Sequence, residues 1–398
     1  MNGAERLLEC FRADRLVGPS SEETNFVDLV RSLLRLAGAK GIPTGPGVEK
    51  LSQLIGPAEH YVFILVDGMG VDLLEKLPPD GFLRSHLAAR LQAVFPSTTA
   101  SALTTLATAE WPGAHGVPGW WLYLEKFNLS AISLRFAERF SERPLEELGV
   151  AVGDVFCVPS VWPRARHAPL SVLAAHIAET TFSRYARGQT AGAGYRDVPE
   201  ALRVICDRVA RAAGPTVTYL YLPQLDALCH RKGTADEAVA PLLAGLEEQL
   251  GGLADELAGL ARIVIAADHG LVDVPAERTL ILEEDDPILS HLLCPPTGEP
   301  TVLLCHVKQG REEAFLSVFA ERFGEAFVFI TPEEADRLRL FGPEPLAPVT
   351  RQRLGSLIGL APAPAALYFR PKVGEFHVHV GVHAGLTPQE MTIPLILA

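Results

Sequence analysis

Residues 61–68 read YVFILVDG, an unbroken apolar and aromatic run that ends on Asp67 and a glycine. A strand apolar at every position has both faces buried, the habit of parallel sheets covered by helices rather than of half-solvated antiparallel ones. The same pattern recurs. VDLLEKL (71–77) follows as a helical segment, and TVTYLYLPQLD (216–226) lies between the helical stretches VPEALRVICDRVARAAG (198–214) and EAVAPLLAGLEEQLGGLADELAGL (237–260). RIVIAADHG (262–270) completes the series. Strands alternating with helices predict an α/β fold, a three-layer α/β/α sandwich around a mainly parallel central sheet.

The 398 residues suffice for one large domain with a smaller inserted lobe. A helical segment is expected over residues 1–50 and the core over 51–274 and 376–398. Within that core, 117–195 reads as an irregular cap, beginning VPGWWLYL and including SVWPRARHAPL and ARGQTAGAGYRD. Between 275 and 375, PTVLLCHVKQG, REEAFLSVFAERFG and AFVFITPEEADRL suggest a small inserted α+β lobe, after which FHVHVGVH and TIPLILA return to core-strand composition.

Thirty-five Lys and Arg against 48 Asp and Glu give a net charge of −13, which excludes extended nucleic acid as a natural partner. The opening MNGAERLLECFRADRL lacks the continuous apolar run of a signal peptide, and the apolar runs elsewhere are too short to cross a membrane. Cysteines at 10, 157, 206, 229, 294 and 305 show no CxxC spacing. A cytoplasmic location and no membrane partner are expected.

Polar residues mark the ends of the apolar runs. Asp67 closes the first, either as a turn former before glycine or as a carboxylate in the crevice where open parallel sheets bind ligands. Asp268 and His269 close another, and burying both without a partner would cost several kcal/mol. Asp226 and His230 stand four apart, spaced for a surface ion pair or for a common grip on a metal. His377, His379 and His383 share parity in an extended strand; only His383 stands at its end, and the other two read as structural or supporting residues. In AVFPSTTASALTTLAT (93–108), Thr98 and Thr99 sit where a strand meets a helix, as caps or as reactive hydroxyls. Oxygen and nitrogen donors without cysteine suit catalytic Zn2+, with Mn2+ as a substitute.

The ordered set VDGMG, FPSTTASALTTLAT, LPQLDALCH, ADHG and VHAGLTPQEM is similar to that of the alkaline phosphatase superfamily, in its nucleotide pyrophosphatase/phosphodiesterase branch. The resemblance spans residues 61–125, 215–275 and 374–398. It implies Thr99 as the nucleophile, with Thr98 in that role if the register slips by one. It further implies two divalent metal ions, one held by Asp67, Thr99, Asp268 and His269 and the other by Asp226, His230 and His383. The activity implied is hydrolysis of phosphodiester or phosphoanhydride bonds in a small phosphorylated substrate, such as a nucleotide, through a covalent intermediate.

Three departures stand out: ASAL follows Thr99 where the branch usually has FPNH, Gly119, Trp120 and Trp121 occupy the stretch where it carries Asn, and Cys229 replaces a Gly. Trp120 and Trp121 read either as a stacking platform for a planar group or as packing, and Arg164, Arg166, Arg184 and Arg187 as a phosphate clamp or as solvated surface. Phosphomonoesterase and phosphonate hydrolase remain as activities of the same superfamily. A metal-stabilised binding or scaffold protein is the non-enzyme alternative.

Overall fold

The computed structural model describes residues 3–372 and 376–398. Residues 1 and 2, at the start of the expected N-terminal segment, and 373–375, at the expected end of the lobe, lie outside them. The centre is a seven-stranded sheet in the order Leu87–Gln92, Thr392–Leu397, Arg262–Ala266, His60–Val66, Thr216–Leu222, Ala168–Ala174, Ala191–Tyr195. Thr392–Leu397 runs antiparallel to both neighbours; the other pairs are parallel. The mainly parallel α/β sheet expected from the apolar runs is present.

Register aligns the strand ends. Leu65 lies opposite both Tyr221 and Ala266, so the chain leaves all three central strands at one level. Asp67, the turn before Asp226, and Asp268 therefore emerge along one edge.

Helix Val198–Ala210 shows how local sequence builds the covering layer. The Asp197 side chain caps it by accepting from Glu200 N, and a proline within the first turn forfeits no helical hydrogen bond. Ala201, Ile205 and Val209, four apart, form its buried stripe, and the helix packs on strands Thr216–Leu222 and Ala168–Ala174. Burying Ile205 and Val209 stabilises by roughly 1.5–3 kcal/mol each.

Two expectations change. The stretch 117–195 is not simply irregular, because Ala168–Ala174 and Ala191–Tyr195 extend the central sheet at its far edge. The first carries Pro169 and the second is AGAGY, so neither has the apolar run of a central strand; parallel pairing holds them despite poor intrinsic propensity. In addition, Trp121–Leu124, Leu129–Ile132 and Ala137–Glu138 join Thr297–Gly298, Val302–Cys305, Leu357–Leu360 and Val328–Ile330 in a second seven-stranded, antiparallel sheet. The region 275–375 thus shares a sheet with 121–138.

The segment FHVHV (376–380) is also not a strand. Val380 N donates to His230 O and Val380 O accepts from Val274 N, so its backbone bonds go to a helix end and a loop. Only Gly381–Val382 pairs, antiparallel to Val272–Asp273.

Candidate active site

Each expected ligand lies at the edge where the strands end. Asp67 follows His60–Val66, and its N donates to Leu222 O. Asp226 sits in the first turn of helix Gln224–Lys232 with His230 one turn on. Asp268 and His269 follow Arg262–Ala266, and His383 follows Gly381–Val382. Ser97 N donates to Ala384 O, tying the His383 segment to the threonine turn. All of these residues are buried except His230, which is partly exposed.

Three imidazoles are oriented alike. Nδ1 of His230 donates to Gly381 O at 2.8 Å, Nδ1 of His383 to Ser97 O at 3.2 Å and Nδ1 of His269 to Gly270 O at 3.0 Å. A proton on Nδ1 leaves the Nε2 lone pair facing inward, the state in which histidine binds a cation. What it faces is another acceptor: His230 Nε2 lies 3.2 Å from Asp226 Oδ2, and His269 Nε2 lies 3.5 Å from Asp67 Oδ1 and 3.6 Å from Asp268 Oδ2. Buried Asp67 Oδ1, Asp226 Oδ1 and Asp268 Oδ2 have no hydrogen-bond partner. Lone pairs converging on lone pairs, with orphaned carboxylate oxygens between, make a donor set that could hold a cation.

Two groups bring their ligand atoms within 4.8 Å of one another: Asp67, Asp268 and His269, and Asp226, His269 and His383. His269 thus lies within reach of both groups. His230 joins neither group at that spacing, but its Nε2 contacts Asp226.

The charges follow from this crowding. Burial, reinforced by Asp268 and Asp226, pushes the Asp67 carboxyl well above the usual carboxylate range, and burial also raises Asp268. Burial would raise Asp226 too, but when His230 also carries a proton on Nε2 its charge and hydrogen bond reverse the shift and hold Asp226 low. Burial drives His383 well below the ordinary imidazole value. Tyr221 OH donates to Asp67 Oδ2 and leaves Oδ1 as the free oxygen.

The two threonines differ in what they touch. Thr99 Oγ1 lies 3.1 Å from His269 Nε2. Thr98 precedes helix Thr99–Thr108 as its N-cap residue, yet its side chain makes no capping bond; it donates to Glu299 Oε1 at 2.6 Å. The helix start thus keeps N–H groups without a side-chain cap, a ready site for a phosphoryl oxygen.

A cavity of about 690 Å³ opens onto Asp67, Thr99, Asp226, His230 and His383, within the size range of small-ligand sites. One wall comes from the threonine helix and 162–187, including Leu103, Ala107, Trp162 and Phe182; the other includes Trp120, Trp121, Arg139 and Phe369. Arg139 stacks on Trp121 with its guanidinium 4.1 Å from the ring. Among the clamp candidates only Arg187 lines the cavity, and Arg184 and Arg187 both pair with Glu179, while Arg166 packs against Gly38. His379 places its ring 4.1 Å from that of His230.

Glu299, Tyr221 and Tyr219 were not among the residues expected from sequence. The tyrosines announce themselves as polar positions alternating within an otherwise apolar strand. Glu299, between Gly298 and Pro300, follows no periodic pattern.

The fold and the convergent ligands define an alkaline-phosphatase-like hydrolase. The sequence pattern of the type I phosphodiesterase / nucleotide pyrophosphatase family matches residues 61–290, and the chain belongs to that family. No curated protein matches the sequence. Among solved structures, the fold is similar to murine ectonucleotide pyrophosphatase / phosphodiesterase 5, with a TM-score of 0.63 and 16% identity over 84% of this chain and 87% of that one. The human protein of the same name gives 0.64 and 16%, covering 85% and 87%. Phosphonoacetate hydrolase from Sinorhizobium meliloti, in complex with phosphonoformate, gives 0.56 and 17%, covering 84% and 89%.

Proposed function

We propose that the protein hydrolyses phosphodiester or phosphoanhydride bonds of a small phosphorylated substrate, with Thr99 as nucleophile and two divalent ions, Zn2+ or in its place Mn2+, as cofactors. The observation that carries this reading is Thr99 Oγ1 at 3.1 Å from His269 Nε2, beside carboxylate oxygens that have no other partner, at a helix start left without a side-chain cap.

Asp67, Asp268, His269 and Thr99 would hold one ion and Asp226, His230 and His383 the other. When bound, such ions supply Lewis acidity, which favours the alkoxide of a hydroxyl and offsets charge on phosphoryl oxygens. The remaining work belongs to the chain. Thr99 Oγ1 attacks phosphorus and loses its proton, a P–Oγ bond forms, and the bond from phosphorus to the leaving oxygen breaks with its electron pair. Water then cleaves the threonyl ester and restores the hydroxyl. First-turn N–H groups of helix Thr99–Thr108 orient the phosphoryl oxygens.

The likeness to phosphonoacetate hydrolase favours a phosphonate as the second reading. A cytoplasmic location is supported by six unpaired cysteines, as in a reducing compartment; no helix among the described residues is long and apolar enough to cross a membrane. The test is turnover of bis-p-nitrophenyl phosphate, p-nitrophenyl phosphate and phosphonoacetate, with added Zn2+ or Mn2+ and with chelator. Metal-dependent diester turnover supports the proposal; exclusive turnover of phosphonoacetate moves the assignment to phosphonates.

A further inference from the structure

Glu299 reaches the site from the second sheet, far in sequence from every ligand. The approach is tight: a Cβ on Gly119 would lie 2.8 Å from Gly298 Cα, so two glycine backbones touch where the chain brings Glu299 inward. Its Oε1 accepts from the Thr98 hydroxyl at 2.6 Å and from Trp120 N–H at 2.7 Å. Two donors on one oxygen fix the carboxylate's position and favour its ionised form, against burial, which pushes the carboxyl up to about 7, so the charge is fully present only above that pH. Oε2 accepts no hydrogen bond among the described residues, and Glu299 lines the cavity together with Thr98, Thr99, Asp226 and His230. Beside Trp120 the cavity wall thus presents an acceptor.

We infer that Glu299 sets the charge selectivity of the site, admitting phosphoryl groups with one unesterified negative oxygen and disfavouring those with two. This rests on the proposed function and narrows it to diesters over monoesters. With two divalent ions bound, the carboxylates of Asp67, Asp226 and Asp268 would leave one net positive charge, which Glu299, ionised above about pH 7, would cancel. Threonine ionisation then tips the balance to negative. A monoester dianion meets this fixed charge with twice the charge of a diester, in a pocket where screening by water is weak.

Glu299→Gln keeps an oxygen to accept from Thr98 and Trp120 while removing the charge. Two readouts, both taken well above pH 7 where Glu299 is ionised, test the inference: kcat/KM for p-nitrophenyl phosphate relative to bis-p-nitrophenyl phosphate, and calorimetric affinity of the metal-loaded protein for inorganic phosphate. The expected change is a rise of about tenfold in the monoester-to-diester ratio and a similar gain in phosphate affinity. Unchanged values for both would overturn it. If the native protein turns over neither ester, the hydrolytic reading fails, and phosphate affinity alone decides the role of Glu299. Should Glu299→Gln misfold, Glu299→Asp, which withdraws the carboxylate by one methylene, is expected to shift both readouts in the same direction, and no shift there counts against the inference.

Discussion

Thr99 Oγ1 lies 3.1 Å from Nε2 of His269, whereas the hydroxyl of Thr98, one residue earlier, is committed to Glu299 at 2.6 Å. The neighbours are thus chemically separated: one faces the candidate ligands, the other supports a turn. Thr99→Ala is expected to reduce turnover by about three orders of magnitude or more, while Thr98→Ala costs about tenfold. Steady-state kinetics and mass mapping of the phosphorylated peptide check this. A slow substrate that labels Thr98 instead would reverse the assignment.

The unpartnered oxygens of Asp67, Asp226 and Asp268 make the cradle a place of repulsion relieved by cations. Added Zn2+ or Mn2+ is expected to stabilise the chelated protein by about 2.7 kcal/mol at a free-ion concentration one hundred times Kd. Asp67→Asn replaces a carboxyl whose ionisation burial and its acidic neighbours oppose, so the chelated variant should be more stable than the chelated native protein by about 1 kcal/mol while gaining less from added metal. Thermal melts with and without chelator measure both effects.

Gly270 closes the ADHG motif under close packing. A Cβ there would fall 1.9 Å from Gln389 O and 3.1 Å from Gly70 Cα, both backbone atoms that cannot swing aside. Gly270→Ala is expected to destabilise by about 2–4 kcal/mol and to lower metal affinity, because the displaced turn carries Asp268 and His269. Urea titration and calorimetry are the measurements; native stability would show that the turn yields.

His115 is buried beneath the threonine helix, accepting from Val117 N at Nδ1 and meeting Thr105 Oγ1 through Nε2. Burial holds its pKa down at about 3. Above pH 6.5 the imidazole is neutral in both states and its contribution to stability is complete. As pH falls, the unfolded chain takes up a proton near 6.5 and the folded protein does not until about 3, so stability is lost progressively between those values. His115→Gln is expected to flatten the pH dependence across this window, measured by chemical denaturation at several pH values. An unaltered slope would place the titrating group elsewhere.

The cradle was legible because its residues punctuate apolar runs. Asp67, Asp268 and His269 each end a stretch that a parallel sheet must bury, and burial of an acid calls for a partner. His383 was legible through its place before the AGLTP turn. Glu299 was not, since it arrives through sheet pairing between segments almost two hundred positions apart, and a lone acid between glycine and proline gives no local sign of it. The alternation in FHVHV misled for the opposite reason: side-chain parity suits a strand, but its backbone bonds go to His230 and Val274 rather than into a ladder. The threonine pair looked like a cap, and only geometry shows the hydroxyl turned toward Glu299.

The pairing of Gly298 with Trp121 joins two regions that look separable on paper. Excising 275–375 as a cassette would strip Trp121–Leu124 of a neighbour, expose a raw sheet edge prone to aggregation, and take the Thr98 anchor away with it. Engineering of this enzyme by fragment exchange must therefore transplant residues 121–138 together with that region, because the floor of the cavity and its rim are stitched into one fabric.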